Sequence, residues 1–191
     1  MKRFIISFLL VFSAISTFAQ RTSQGTFFAT IETGTTFSSF GLVGIEGGLY
    51  SRNGFWDVRI GSMMISRRTV GSMAENTGRL SAMRADLEGS YMFRLYSNKN
   101  RIFNLYAGGG AFIGAEMIDP FGTFSRTAVL PFSTSTVFIY GISPRADAEF
   151  FFLPMTVPNL ALTGIIRTPL CFNSQMQMFH AELLVGLKYN F

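Results

Sequence analysis

Between Met83 and Phe93 the residues change kind at every step. Met83, Ala85, Leu87, Gly89, Tyr91 and Phe93 hold the odd positions, and Arg84, Asp86, Glu88 and Ser90 fall between them. A helix would mix the two sets on every face, whereas a strand places them on opposite faces. From Tyr140 to Phe152 the parity reverses, with Arg145, Asp147 and Glu149 set against Ile142, Ala146, Ala148, Phe150 and Phe152. The last stretch alternates His180, Glu182, Lys188 and Asn190 with Phe179, Ala181, Leu183, Val185, Leu187, Tyr189 and Phe191. The chain is 48% hydrophobic and only 14% charged, against about 25% charged in an average soluble domain. Past the N-terminus no apolar run approaches the roughly 18 residues of a spanning helix. The hydrophobicity is therefore carried by one face of many strands.

The same test predicts eight strands: Thr26 to Thr33, Phe40 to Tyr50, Phe55 to Ile65, Ser81 to Leu95, Ile102 to Glu116, Phe138 to Phe152, Leu160 to Thr168 and Phe179 to Phe191. Under this parity Glu32, Glu46, Asp57, Asp86, Glu88, Glu116, Asp147, Glu149 and Glu182 share the polar face with Arg59, Arg84, Arg94, Arg145, Arg167 and Lys188. Only Glu75 and Asp119 among the acids fall in predicted loops. One face holding nearly all the acids and a comparable set of cations describes a polar interior laced with ion pairs, its apolar face turned to lipid. Strands of about ten residues, tilted near 45°, cross a hydrocarbon layer on the order of 25 Å thick. The expected fold is all-β: a small antiparallel transmembrane barrel of about eight strands, of outer-membrane type. An open sheet in lipid would leave backbone groups unpaired, so closure is a physical requirement.

Connections alternate in length. Those around Ser51 to Gly54, Tyr96 to Arg101 and Leu153 to Asn159 are compact; those around Ser66 to Leu80, Met117 to Val137 and Pro169 to Met178 are longer. Short periplasmic turns and longer external loops fit a barrel with both termini inside; the first connection, Gly34 to Ser39, is shorter than that rule prefers. Tyr50, Phe55, Trp56, Phe93, Tyr96, Phe103, Tyr140, Phe151, Phe152, Phe179, Tyr189 and Phe191 lie at predicted strand ends, where aromatic rings suit an interfacial girdle. The connection from Met117 to Val137 is unusually apolar, with Pro120, Phe121, Phe124, Val129, Leu130, Pro131 and Phe132. It reads either as a loop folded over the rim or as a docking surface.

Lys2 and Arg3 precede an apolar stretch from Phe4 to Ile15, and Thr17 and Ala19 supply the small residues of a cleavage site. This is the order of a secretory signal over residues 1–19, leaving 20–191 as one barrel domain in the outer membrane after cleavage near Ala19. Removing two cations takes the formal charge from +5 to +3, too mild an excess to call for direct nucleic-acid binding. The single cysteine excludes an internal disulfide, and Cys171 is expected as a free thiol in or near an external loop.

No catalytic, cofactor-binding or metal-binding residue is expected, and the protein reads as a non-enzyme. His180, the only histidine, has Glu182 one pleat away on its face and reads as a lumenal hydrogen-bonded side chain. Gly108, Gly109, Gly110 and Gly114 lie inside one alternating strand, whereas a phosphate loop needs a strand followed by a helix N-terminus. One histidine and one cysteine disfavour zinc. Calcium at Glu46, Asp86, Glu88, Asp147 and Glu149 competes with interleaved arginines, and ion pairing is the better reading. The ten methionines, Met63, Met64, Met176 and Met178 among them, are scattered and read as lipid-facing or loop filler.

Several segments carry a family resemblance: Gly89-Ser90-Tyr91, Gly114-Ala115-Glu116-Met117-Ile118-Asp119, Phe138-Ile139-Tyr140-Gly141, Glu149-Phe150-Phe151-Phe152-Leu153 and Gly186-Leu187-Lys188-Tyr189-Asn190-Phe191. In order and spacing they resemble the TraO family of conjugative transposons. The resemblance implies a non-enzymatic envelope component of a conjugative transfer apparatus. Its partners would be outer-membrane lipid and other proteins of that apparatus. The ending Leu183, Val185, Leu187, Tyr189, Phe191 resembles the last-strand signal read by the barrel assembly machinery. The alternative is a free-standing small barrel of the OmpX or OmpW kind in adhesion, envelope stability or small-molecule transport. A soluble lipid-binding barrel would need the reverse parity, apolar inside, and the low charge content argues against it.

Overall fold

A computed structural model describes residues 24–36, 39–68, 79–98, 101–118, 136–152, 157–174 and 178–191. The expected signal segment, residues 1–19, and most of the predicted loops from Ser66 to Leu80 and from Met117 to Val137 lie outside the described residues. The strands are β1 (Phe27–Thr36), β2 (Ser39–Ser51), β3 (Gly54–Arg68), β4 (Arg79–Ser97), β5 (Phe103–Ile118), β6 (Thr136–Phe150), β7 (Leu160–Arg167), β8 (Leu170–Cys171) and β9 (Glu182–Asn190). Each pairs antiparallel with its neighbour, and β1 pairing with β9 together with β5 pairing with β6 closes the ring. At the seam the Phe191 amide donates to the Phe27 carbonyl at 2.8 Å.

The two segments β7 and β8 are one strand interrupted at Thr168 and Pro169. Arg167 faces Arg145 and Leu170 faces Ile142 in an unbroken register. Pro169 has no amide to donate to the ladder, and across the gap the Thr168 amide still reaches the Pro144 carbonyl at 3.0 Å. Counting them together gives eight strands. The predicted end of the seventh strand at Thr168 is thus extended to Cys171. Ahead of β9 the expected run from Phe179 is reduced to a single bridge, Phe179 to Leu170.

Following paired residues once around the barrel gives its stagger. Phe150 pairs with Leu162, then in turn come Leu187, Ile31, Ile45, Ile60, Leu87, Ile113 and Tyr140. The circuit returns to β6 ten residues from where it began. Ten residues of about 3.3 Å against eight strand spacings of about 4.8 Å gives a tilt of about 40°, within the range for closed barrels. The circuit therefore climbs about 25 Å along the axis, the height of an outer-membrane apolar band. All nine residues on it are apolar and outward-facing.

Two local features trim the ends. The turn between β2 and β3 is a two-residue hairpin, Arg52-Asn53, inside the Ser51–Gly54 pair. Between β4 and β5, Asn98 Oδ1 accepts from the amides of Ile102 at 2.7 Å and Phe103 at 3.2 Å, and Arg101 takes a left-handed φ of 52°. A bulge between Arg94 and Tyr96 inserts Leu95, so Phe93, Leu95 and Tyr96 all face outward.

Candidate functional site: a charged lumen

The nine acids assigned by parity to the polar face are all buried inside the barrel, and so are Arg59, Arg84, Arg145, Arg167 and Lys188. Arg94 is half-buried, its guanidinium 5.8 Å from the Tyr106 ring centre. Water-free burial of charge is costly unless each ion is paired and hydrogen-bonded. The lumen answers this chiefly with Arg59, Arg145 and Arg167, each of which holds two or three carboxylates, which suits the planar fork of five donors.

Arg145 is the middle hub. Its Nη2 donates to Glu46 Oε2 and Asp147 Oδ2, both at 2.6 Å, its Nε donates to Asp147 Oδ1 at 2.7 Å, and Nη1 lies 3.6 Å from Asp57 Oδ2. Asp57 also accepts from the Ser90 hydroxyl at 2.7 Å. Arg167 forms a second hub, with Glu88 at 2.5 Å, Glu182 at 2.9 Å and Asp86 at 3.5 Å, and donates to Ser143 Oγ at 2.8 Å. Arg59 links Glu32 and Asp86, the latter at 3.0 Å. Glycines make room for this last hub: a Cβ at Gly44 would meet the Glu32 carboxylate, and one at Gly61 would meet the Arg59 guanidinium.

Towards the loop end Arg84 pairs with Glu116 at 3.2 Å, and Ser174 Oγ donates to the same carboxylate at 2.8 Å. His180 Nε2 stands 2.8 Å from Glu182 Oε1 and 3.3 Å from Arg84 Nη1. As an N–H it donates to Glu182, and the Glu182 carboxylate thereby ties this group to the Arg167 hub. His180 is thus the lumenal hydrogen-bonded residue expected of it. Apolar side chains also enter the lumen at this level: Leu42, Met63, Ala82, Ile118, Ile165 and Leu184 form one cluster. Phe112, Ile139 and Cys171 form another.

Cys171 is a free thiol at the end of β8, directly before the turn at Phe172, near a loop as expected; its side chain is buried because the unbroken register gives it the inward parity of Arg167 and Ile165. The aromatic girdle is corrected. Trp56, Phe93, Tyr96, Tyr140, Phe152, Phe179 and Phe191 are exposed on the outer wall, whereas Tyr50, Phe55 and Phe151 are buried inside. Tyr50 and Phe55 join Phe28, Met92 and Tyr106 in a cluster across the turn end. Phe28 and Phe55 meet edge to face at 5.2 Å, as do Phe55 and Tyr106 at 4.9 Å. Lys188 sits against this cluster, its Nζ 3.8 Å from the Phe28 ring centre and 4.3 Å from that of Phe55, and donates to Glu149 Oε1 at 2.7 Å. Tyr50 donates to the same oxygen at 2.7 Å. The signal that reveals this plug is parity: Tyr50 shares the phase of Glu46, and Phe55 that of Asp57.

The mid-strand glycines Gly108, Gly109 and Gly110 pair with Met92, Tyr91 and Ser90 inside β5. A Cβ at Gly109 would lie 2.6 Å from the Ser143 carbonyl oxygen, so close strand approach accounts for that residue. Among the described residues no group of three His, Cys, Asp or Glu side chains is arranged to hold a metal ion. The arrangement fills the barrel with paired charges and apolar side chains.

Solved structures with this architecture are outer-membrane barrels. Neisserial surface protein A aligns with a TM-score of 0.57 at 14% identity, covering 88% of this chain and 98% of its own. The N-terminal β-barrel domain of Pseudomonas aeruginosa OprF aligns with a TM-score of 0.50 at 11% identity, covering 88% and 98%. At such identities the likeness establishes the fold alone. A search of curated protein sequences returned no match. The family model described as conjugative transposon protein TraO matches residues 70–191, from ahead of β4 to the last residue and well over half of the chain. The protein therefore belongs to the TraO family.

Proposed function

We propose that this protein is a non-enzymatic outer-membrane element of a conjugative transposon's transfer apparatus, where a rigid, closed barrel helps assemble or anchor the mating channel. Membership of the TraO family carries the reading, and the filled lumen gives it a mechanism. An eight-stranded barrel has an interior just wide enough for side chains, and here arginine hubs and an aromatic plug occupy it. DNA accordingly passes elsewhere, and this barrel works through its surfaces. Residues 1–19 act as a cleaved secretory signal, and 20–191 form the single mature domain. The final strand ending at Phe191 is read by the barrel assembly machinery, and lipid and other apparatus proteins are the lasting partners.

In-frame deletion of the gene with complementation in trans tests this. Transfer of the element is lost and restored while permeability to dyes and antibiotics stays at the parental level. Unaltered transfer in the deletion strain refutes the role in conjugation. It leaves the reading as a free-standing OmpX- or OmpW-like barrel, which the fold accommodates equally. Recovery of the protein in the soluble periplasmic fraction refutes the membrane reading altogether.

A further inference from the structure

Around Arg145 the buried charges do not balance, because one guanidinium serves three carboxylates, Glu46, Asp57 and Asp147. The neighbouring cations are already committed: Lys188 of β9 to Glu149 at 2.7 Å, Arg59 to Glu32 of β1 and Asp86 of β4, and Arg167 of β7 to Asp86, Glu88 and Glu182. From β5 the nearest titratable side chain is Tyr106, part of the aromatic cluster that closes the turn end. Towards the loops the Arg167 hub and the cluster around Leu42 and Met63 fill the lumen. Cations whose side chains lie outside the described residues are attached to the chain beyond these two closures. The surplus of negative charge is therefore local to the hub, and it is sealed from water. Arg145 does not share itself equally. Asp147 takes its Nε and Nη2 at 2.7 and 2.6 Å and Glu46 takes Nη2 at 2.6 Å, while Asp57 Oδ2 stays 3.6 Å from Nη1, outside hydrogen-bond reach. Asp57 Oδ1 accepts from the Ser90 hydroxyl, but Asp57 Oδ2 and Glu46 Oε1 are buried with no hydrogen-bond partner among the described residues.

We propose that the Arg145 hub is a proton-binding site: Asp57 holds a proton that the folded barrel keeps at neutral pH. A buried carboxylate without its own cation is costly, and carboxylates crowded together cannot all stay ionised. A proton on Asp57 removes the surplus charge and turns its Oδ2 from an orphaned acceptor into a donor. In the unfolded chain Asp57 is in water and releases that proton at about pH 4. Above that pH the folded state binds one proton more than the unfolded state, so stability falls as pH rises. Acid tightens the lumen and alkali loosens it. This holds whether or not the barrel serves conjugation.

Asp57→Asn copies the protonated form and cannot titrate. Wild type and variant are refolded in micelles of a detergent that has no carbonyl group, and their unfolding equilibrium constants in urea are compared from about pH 5 to about pH 7. The ratio of the two constants cancels the titration of groups outside the hub. It should change about tenfold per pH unit, with Asp57→Asn gaining on wild type as pH rises. Infrared spectra give an independent reading: folded wild type at neutral pH should show the C=O stretch of a protonated carboxyl, and Asp57→Asn should lack it. In Ser90→Ala, which removes the hydroxyl bonded to Asp57, the same band should shift, so the assignment survives even if Asp57→Asn does not fold. A ratio that is flat or moves the other way overturns the proposal. So does folded wild type without the band, or a band that neither variant alters, which would put the proton elsewhere in the lumen.

Discussion

Replacing Arg145 by methionine removes the one cation that holds Glu46, Asp147 and Asp57 together, at 2.6, 2.6 and 3.6 Å. Methionine fills a similar volume, so the perturbation is mainly electrostatic. Arg145 and its three acids are all buried, and stripping one partner from a buried pair costs about 3–5 kcal/mol because the remaining charge is left uncompensated. With three carboxylates sharing the guanidinium, the loss should reach the upper part of that range. Part of it is recoverable: adding Glu46→Gln and Asp147→Asn removes two of the orphaned charges while keeping their shapes. The triple variant should stand at least about 2 kcal/mol above Arg145→Met, because removing both sides of a buried pair is far less costly than removing one. Reversible urea unfolding in lipid vesicles, followed by the fluorescence of Trp56, measures both. An Arg145→Met loss below about 1 kcal/mol refutes the view that the hubs hold the lumen. A triple variant no more stable than the single one refutes it equally, since packing rather than charge would then explain the loss.

Other sites give sharper contrasts. Gly61→Val drives a side chain into the Arg59 guanidinium and should cost about 1–3 kcal/mol, while Gly89→Val, where nothing lies within 4 Å of a built Cβ, should leave urea stability unchanged. Wild-type protein in planar bilayers should show no steady conductance, and combined Phe28→Ala, Tyr50→Ala and Phe55→Ala should still show none, because the Arg145 and Arg167 hubs fill the lumen beyond the turn-end cluster; conductance of wild type contradicts a closed lumen. Cys171, buried against Phe112 and Ile139, should resist maleimide in the folded barrel and react fully in denaturant. Fast labelling of the folded protein would contradict an inward-facing thiol.

Strand number, closure and the sorting of charge to one side are legible from the chain because a period of two is strict: one residue of slippage would turn every Glu and Arg into lipid. Structure and sequence pattern differ where a second feature competes with parity. Tyr50 and Phe55 sit at strand ends and are aromatic, so they look like girdle residues, yet their phase is that of Glu46 and Asp57 and they close the turn end. The inward phase of Cys171 is hidden by Pro169, which breaks the hydrogen-bond pattern without shifting the register. Which carboxylate each arginine holds depends on the ten-residue stagger around the ring: Arg145 and Glu46 are far apart in sequence and on non-neighbouring strands, yet meet at 2.6 Å. Alternation within a strand carries no information on that pairing.

The apolar face of each strand looks into lipid and the charged face into a closed interior, and a single tryptophan can report on both. The chain has one tryptophan, Trp56, and it lies on the outer wall. With Trp56→Phe as background, a tryptophan introduced at Ile45, halfway along the apolar circuit, is read against phospholipids brominated along their acyl chains. Bromines deep in the chain should quench it strongly and aqueous iodide negligibly. Quenching by iodide with no response to brominated lipid would turn the barrel inside out and contradict this orientation.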